Sequence, residues 1–245
     1  MRIVGNEIEH TDAVQSVAAK SLEGSYAWVV PHKNIFLFPR NTVVRDVTAV
    51  FPRFKSVDVR AESLNGIVVT VAERKPAYLW CTSDTVCYYV DDSGVAFSGA
   101  PVFSGNLFFE FRDTATTTDA TGATTTAVQL GQPVMDSTLW KKVVATKQQV
   151  ADLFDGRFAE VGDLVRFWIE PSGVWSVEVK SKNDQNKPWK LIFNEKDVND
   201  QLMNSIVTTL QYLLEQNARK GVHPQLEYID LRFGNKVFYK YSDAP

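Results

Sequence analysis

The sequence predicts an α+β protein in two parts, and three observations carry that prediction. The first third reads strand, helix, helix, strand, strand. The remainder is dominated by short runs that alternate apolar and polar residues. Two longer helical patterns, each with one apolar stripe, interrupt those runs. A chain of 245 residues favours two domains, and a hydrophobic content of 44% is ample for two cores.

A short strand at Arg2–Val4 leads into Gly5-Asn6. Thr11 is the expected cap of a helix over 12–22, because its hydroxyl can accept from the orphan amides of the first turn. Val14, Val17, Ala18 and Leu22 recur at helical spacing, and Gly24 marks the stop. After the aromatic-rich loop "SYAWVVPHKNIFLFPR", Asn41 is the expected cap of a second helix over 42–50, with Val43, Val44, Val47 and Val50 buried. Pro52 in "FPRFKS" breaks it. The strands "SVDVRAES" and "GIVVTVAE" alternate through Val57 and Val59, then Ile67, Val69 and Val71, with the hairpin signal Asn65-Gly66 between them. This unit occupies 1–73, and 74–245 forms the second domain.

In the second part, "ERKPAYLW", "VCYYVDDSGVAFS" and "NLFFEFRD" read as strands, with a hairpin turn at Asp92-Ser93-Gly94. Thr114–Thr126 is Thr-rich, carries too little apolar surface to pack, and reads as a mobile surface loop. Asp136 is the expected cap of the helix "DSTLWKKVVATKQQVADLF". "LVRFWIEP" and "VWSVEVKSK" are strands joined at Pro171-Ser172-Gly173, and "WKLIFNE" is another. Asp197 is expected to open the longest helix, whose core stripe is Val198, Leu202, Ile206, Leu210, Leu213 and Leu214 and whose stop is Lys220-Gly221. The last pair of strands is "EYIDLRFGNKVFYK", turning at Gly234-Asn235. The whole second part is expected to be mostly antiparallel, with two or three helices.

Several function classes are disfavoured. A net charge of -3 and a pI near 5.7 argue against a general nucleic-acid binder. His10, His32 and His223 lie far apart, with no second ligand at metal-site spacing. No glycine-rich phosphate loop and no G-x-S-x-G elbow occurs. The carboxylate pairs Asp91-Asp92 and Asp152 with Asp155 sit where turns or helix ends favour solvated acids. Phe108-Phe109 and Phe167-Trp168 read as core. No catalytic residue, metal or cofactor is expected. Cys81 and Cys87 face one another across a polar turn, so a disulfide is geometrically possible, but two free, half-buried thiols are the favoured expectation. No apolar run crosses a bilayer and no signal peptide is visible, while the strand at the first residues suggests that an upstream segment has been removed.

The terminal stretch raises a question of its own. A strand at a sheet edge tends to recruit other chains, and this one is aromatic and sticky. Its recruiting edge is the favoured functional feature.

The strand-helix-helix-strand-strand unit, with "IVGNEIEHT" at its start and "VFPRFKSVDVR" in its middle, resembles a POTRA domain, a module that handles other polypeptides. With the "ERKP" step, the "VDDSGVAF" hairpin and the ending "YIDLRFGNKVFYK", the chain is similar to the FtsQ/DivIB family of bacterial division proteins from Ile3 to about Tyr241. That resemblance implies a non-enzymatic divisome scaffold on the extracytoplasmic face of the cell membrane, at the septum, anchored by an N-terminal transmembrane helix outside this sequence. It implies FtsB- and FtsL-type partners and other divisome components, and a role in controlling septal peptidoglycan synthesis. Carried onto this chain, the docking edge is Gly234–Tyr241, namely Gly234, Asn235, Lys236, Val237, Phe238, Tyr239, Lys240 and Tyr241. Phe233, Phe238 and Tyr241 are the expected aromatic anchors, and Arg232 can hold an acidic partner residue, with Asp230 bridging inside the domain. The Thr-rich loop departs from the family pattern as an insertion. The alternative is a POTRA-bearing component of polypeptide transport or outer-membrane assembly.

Overall fold

A computed structural model describes residues 1–26, 30–31, 37–63, 66–103, 105, 107–113, 128–182, 188–221, 225–234 and 236–242. His32, Asn65, the Thr-rich stretch and His223 lie outside the described residues. The chain is α+β and divides into two compact units. One comprises 1–77, 89–99 and 128–134, the other 78–88, 100–127 and 135–245.

In the first unit the elements are β1 (Arg2–Val4), α1 (Thr11–Lys20), β2 (Ser25–Tyr26), β3 (Val30–Pro31), α2 (Arg40–Val50), β4 (Phe54–Ser63) and β5 (Gly66–Glu73). The strand order β1-β5-β4 makes a three-stranded sheet in which β1 runs parallel to β5 and β4 antiparallel to it. Val14 and Ala18 of α1, Val43 and Val47 of α2, and Val59, Ile67, Val69 and Val71 of the hairpin form one buried core. The expected alternation of both strands therefore holds. Val50 departs from expectation: it is exposed, since the chain leaves the helix there toward Phe51 and Phe54, which are buried instead.

Both helix starts also differ from expectation. Thr11 is the first helical residue and caps nothing; its hydroxyl accepts from Asn6 Nδ2 at 3.0 Å, and His10 precedes the helix without a side-chain cap. Asn41 already lies inside α2, which begins at Arg40 directly after Pro39. Helix α1 ends at Lys20, with Ser21 rather than Gly24 as its cap residue.

The "ERKP" step is structural. Glu73 Oε1 accepts from the amides of Glu7, Ile8 and Glu9 at 2.8, 2.9 and 3.0 Å, closing the loop after β1. Burial raises the Glu73 pKa, yet those amides and nearby Arg53 outweigh it and hold the carboxyl below its ordinary range. Gly5 makes that loop possible: its φ is +93°, and a Cβ there would lie 2.1 Å from the Val71 carbonyl oxygen. Arg74 reaches Asp91 at 2.5 Å. Asp91 also accepts from the amides of Ser93 and Val95 and the Ser93 hydroxyl, at 3.0, 3.0 and 2.7 Å. The acid expected to be solvated is thus buried and saturated, and it builds the turn after β7 (Cys87–Val90). Asp92 is the solvated one, paired with Lys55 at 3.1 Å.

The remaining elements are β6 (Tyr78–Cys81), β8 (Ala96–Ala100), β9 (Glu110–Asp113), α3 (Ser137–Asp155), β10 (Gly162–Ile169), β11 (Val174–Ser181), β12 (Trp189–Asn194), a 3-10 turn (Glu195–Asp197), α4 (Asp200–Lys220), β13 (Leu226–Phe233) and β14 (Lys236–Tyr241). In the second unit the sheet order runs β14-β13-β12-β11-β10-β9-β6. It is mixed rather than mostly antiparallel: β6 with β9, β9 with β10, and β12 with β13 are parallel. The reason lies in the two helices. Strands that are neighbours and parallel need a long crossover, and α3 supplies it between β9 and β10, α4 between β12 and β13.

Asp136 caps α3 as expected, accepting from the amides of Thr138 and Leu139 at 2.8 and 3.2 Å. Helix α4 is capped by Asn199, not Asp197, which belongs to the preceding 3-10 turn together with the approach through Val198. Leu202, Ile206, Leu210 and Leu213 are its buried stripe, Leu214 is 46% exposed, and Gly221 ends it in the left-handed conformation. Cys81 and Cys87 form a disulfide rather than two free thiols, their Cα atoms 4.1 Å apart across the turn. No helix among the described residues is long and apolar enough to cross a membrane.

Candidate functional site

Strand β14 ends the sheet, with β13 as its one neighbour among the described residues. The pair is antiparallel, with Ile229 opposite Tyr239, Asp230 opposite Phe238 and Phe233 opposite Lys236. The ladder is irregular between Leu226 and Tyr228 and between Asp230 and Phe233. Gly234, at φ +64°, takes the left-handed conformation that the tight connection requires, and its turn partner Asn235 lies outside the described residues.

The two strands differ in burial. Ile229, Asp230 and Leu231 of β13 are buried. In β14 no described residue is buried, and Phe238 and Tyr239 are 50% and 43% exposed, with Phe233 just before the turn at 54%. Phe233 and Phe238 pack edge to face with centroids 5.1 Å apart, and Tyr239 does the same with Tyr241 at 5.7 Å. Each of these rings therefore packs on another ring of its own hairpin.

Successive residues of β14 point to opposite faces. On one face, Tyr241 donates to Asn217 Oδ1 of α4 at 3.2 Å, so this end is tied to the helix layer. Tyr241 also lines a groove of about 780 Å3 with Trp189, Leu210, Leu213, Leu214 and Leu226. Tyr241, expected as an outward anchor, is half-buried and already engaged. Helix α4 lines the groove through Leu210, Leu213 and Leu214, and the doubled Leu213-Leu214 pair is the signal in the sequence that its apolar stripe is wider than the core needs.

On the other face, Lys236, Phe238 and Lys240 are all exposed. Lys240 Nζ lies 2.7 Å from Glu227 Oε2. Arg232 donates to Asp230 from Nε at 2.9 Å, from its second amino group at 2.6 Å and from its backbone amide at 3.1 Å. Asp230 is thus the internal bridge that was expected. Burial raises its pKa, but the Arg232 bonds prevail and hold the carboxyl below the ordinary range; Asp230 in turn raises Arg232. The Arg232 fork is taken by Asp230, Glu170 is a further acid acting on it, and its guanidinium carbon lies over the Phe233 ring, 5.7 Å from the centroid.

This face continues inward as a lattice of charges. Glu110, Arg166, Glu178 and Lys190 stand side by side across β9 to β12, alternating in sign, and the same row passes through Tyr228 to Lys240. Arg166 bridges Glu110 at 2.5 Å and Glu178 at 3.4 Å, and Glu178 also accepts from Trp168 Nε1 at 3.0 Å. Arg112 pairs with Glu110 and with Asp84, and Arg112 and Lys190 flank the Trp168 ring at 5.2 and 4.9 Å. Phe167 is core as expected, whereas Trp168 belongs to this polar face.

Among the described residues no cluster of His, Cys, Asp or Glu is placed to hold a metal ion. No protein-family model matches the chain, and no curated protein matches its sequence.

Proposed function

We propose that this chain is the extracytoplasmic part of an FtsQ/DivIB-type division protein, a POTRA domain followed by a β domain, acting as a non-enzymatic scaffold. In this reading it sits at the division septum on the outer face of the cell membrane, held by a transmembrane helix outside this sequence. It binds FtsB- and FtsL-type partners and through them helps regulate septal peptidoglycan synthesis. The ordered sequence motifs support the family. The observation that carries the function is the position of β14 at the sheet edge with Phe233, Phe238 and Tyr239 exposed.

Strand addition uses such an edge directly. Main-chain N–H and C=O groups of an incoming segment pair with those of the edge, and alternate side chains supply selectivity. Aromatic anchors, Tyr and Trp above all, are enriched among the few residues that carry most of the binding energy in such contacts.

Calorimetric titration with the extracytoplasmic segment of the FtsB-type protein from the same genome tests this. Binding by the parent, weakened roughly thirtyfold or more in a folded Phe238→Lys variant, is the expected result. Equal binding by both moves the interface away from β14, and no binding by either removes the proposal.

A further inference from the structure

An exposed aromatic edge invites pairing with its own copy, and natural edge strands suppress this with charge, most often lysine. Lys236, Phe238 and Lys240 share one face of β14 at two-residue spacing, a lysine on each side of the exposed ring. We propose that this triplet is a charge code: it refuses a second copy of this chain and accepts a foreign strand carrying two carboxylates four residues apart around an apolar residue. The inference rests on the reading of β14 as a docking edge.

Symmetry makes the refusal specific. Two copies that join β14 to β14 as a continuous antiparallel sheet are related by a two-fold axis. In the register that stacks Phe238 on Phe238, Lys236 of each copy stands opposite Lys240 of the other, so the like-charge contact occurs at both ends of the interface. Like charges directly opposite one another destabilise a sheet pair. Slipping by two residues either way places Lys240, or Lys236, diagonal to its own counterpart, still within reach of a long side chain. No nearby register that keeps the aromatics stacked escapes the repulsion.

The same geometry defines the strand that fits. Acid, apolar residue, acid at two-residue spacing meets Lys236, Phe238 and Lys240 in either strand direction, because the pattern is symmetric. The molecule already contains a precedent, since the Glu227 carboxylate rests on Lys240 at 2.7 Å. The row across the open face gives a second. Glu110, Arg166, Glu178 and Lys190 alternate in sign there, each cation beside a carboxylate on a neighbouring strand, before the neutral Tyr228 precedes Lys240.

Charge reversal tests both halves. Sedimentation equilibrium of the whole chain should show a monomer for the parent and a dimer for Lys236→Glu, whose introduced carboxylate would then face Lys240 of the other copy at both ends. The dimer dissociation constant should fall roughly tenfold or more. The Lys236→Glu, Lys240→Glu double variant restores like charges and should return to monomer, with circular dichroism checking that each variant folds. In parallel, an alternating synthetic octapeptide with Glu-Thr-Val-Thr-Glu at its centre should bind the parent more tightly than its Lys-Thr-Val-Thr-Lys counterpart, and the double variant should reverse the order. A dimeric parent, or a Lys236→Glu variant that stays monomeric, overturns the code. Equal binding of both peptides overturns it while leaving the docking edge intact. Binding of neither peptide to any form counts against the docking edge itself, and the code falls with it.

Discussion

Phe167 and Trp168 are neighbours on β10, both large and aromatic, yet they belong to different chemistries. Phe167 is fully buried and packs against Phe111, Trp175 and Phe193, at 5.9, 5.4 and 6.2 Å between centroids. Trp168 points the other way, its ring between Arg112 and Lys190 and its N–H on Glu178. The strand alternation that produces this contrast extends through the sheet. One face, under α3 and α4, is filled by Phe111, Phe167, Trp175, Leu191, Phe193 and Ile229; the other is a lattice of charges in which even Arg112 and Glu178 are buried by their own partners. The lesson is that half the sheet is stabilised without selectivity and the other half is organised by sign. Strand β14, the last in that order, carries the contrast to an edge where another chain can meet it.

The sharpest way to break the contrast is in the core. Phe167→Ala should cost about 3–5 kcal/mol in unfolding free energy, because ring burial is lost and the packed aromatic cluster around it closes only partly over the cavity. Trp168→Ala should cost distinctly less, about 1–3 kcal/mol, mainly because the buried Glu178 carboxylate loses its 3.0 Å donor and keeps only Arg166 at 3.4 Å. Urea denaturation of both variants at neutral pH measures the difference. Equal losses would mean that the polar face is as tightly packed as the core.

A smaller effect sharpens the electrostatic half. The folded state holds Asp230 below its ordinary pKa: burial acts against this, and the Arg232 bonds overcome it. An acid with a lowered folded pKa contributes stability that is complete above about pH 5 and drains away as the pH falls through about 4 and below. Asp91 and Glu73 act in the same direction in the first unit. Asp230→Asn should therefore lower the melting temperature at pH 7 but narrow the gap to the parent as the solution is acidified toward pH 3. A gap that stays constant over that range would show that Asp230 contributes through shape and not through charge.

The sequence made much of the scaffold legible, because its signals are local. Alternation located the strands, the Asp136 cap located α3, and Gly221 located the end of α4. What stayed hidden depends on contacts far along the chain. Nothing local distinguishes Asp91 from Asp92, yet Arg74 and the turn amides claim the first and leave the second in solvent. Parallel pairing of β9 with β10 and β12 with β13 follows from how α3 and α4 cross over, which periodicity does not record. The cysteine pair was ambiguous for the same reason: whether two facing thiols bond depends on how closely β6 and β7 approach. At the edge, the aromatics were visible as residues, but the engagement of Tyr241 by Asn217 and of Arg232 by Asp230 was not. That correction shifts the weight of the site from the end of β14 to its middle.

The smallest stability effect is expected at that middle. Phe238 is half exposed, faces away from α4 and touches Phe233 at the rim. Replacing it by Ser removes one edge-to-face aromatic contact and leaves no cavity, so the loss should stay below about 1 kcal/mol. A residue held in place for folding would cost several times more, as Phe167 does. A large, sticky ring that adds almost nothing to stability and raises the risk of aggregation is what the proposed docking edge would keep for its partner. A Phe238→Ser variant that unfolds at the same urea concentration as the parent supports that argument. One destabilised by several kcal/mol would make the ring a structural part of the hairpin and remove the reason to look for a partner there.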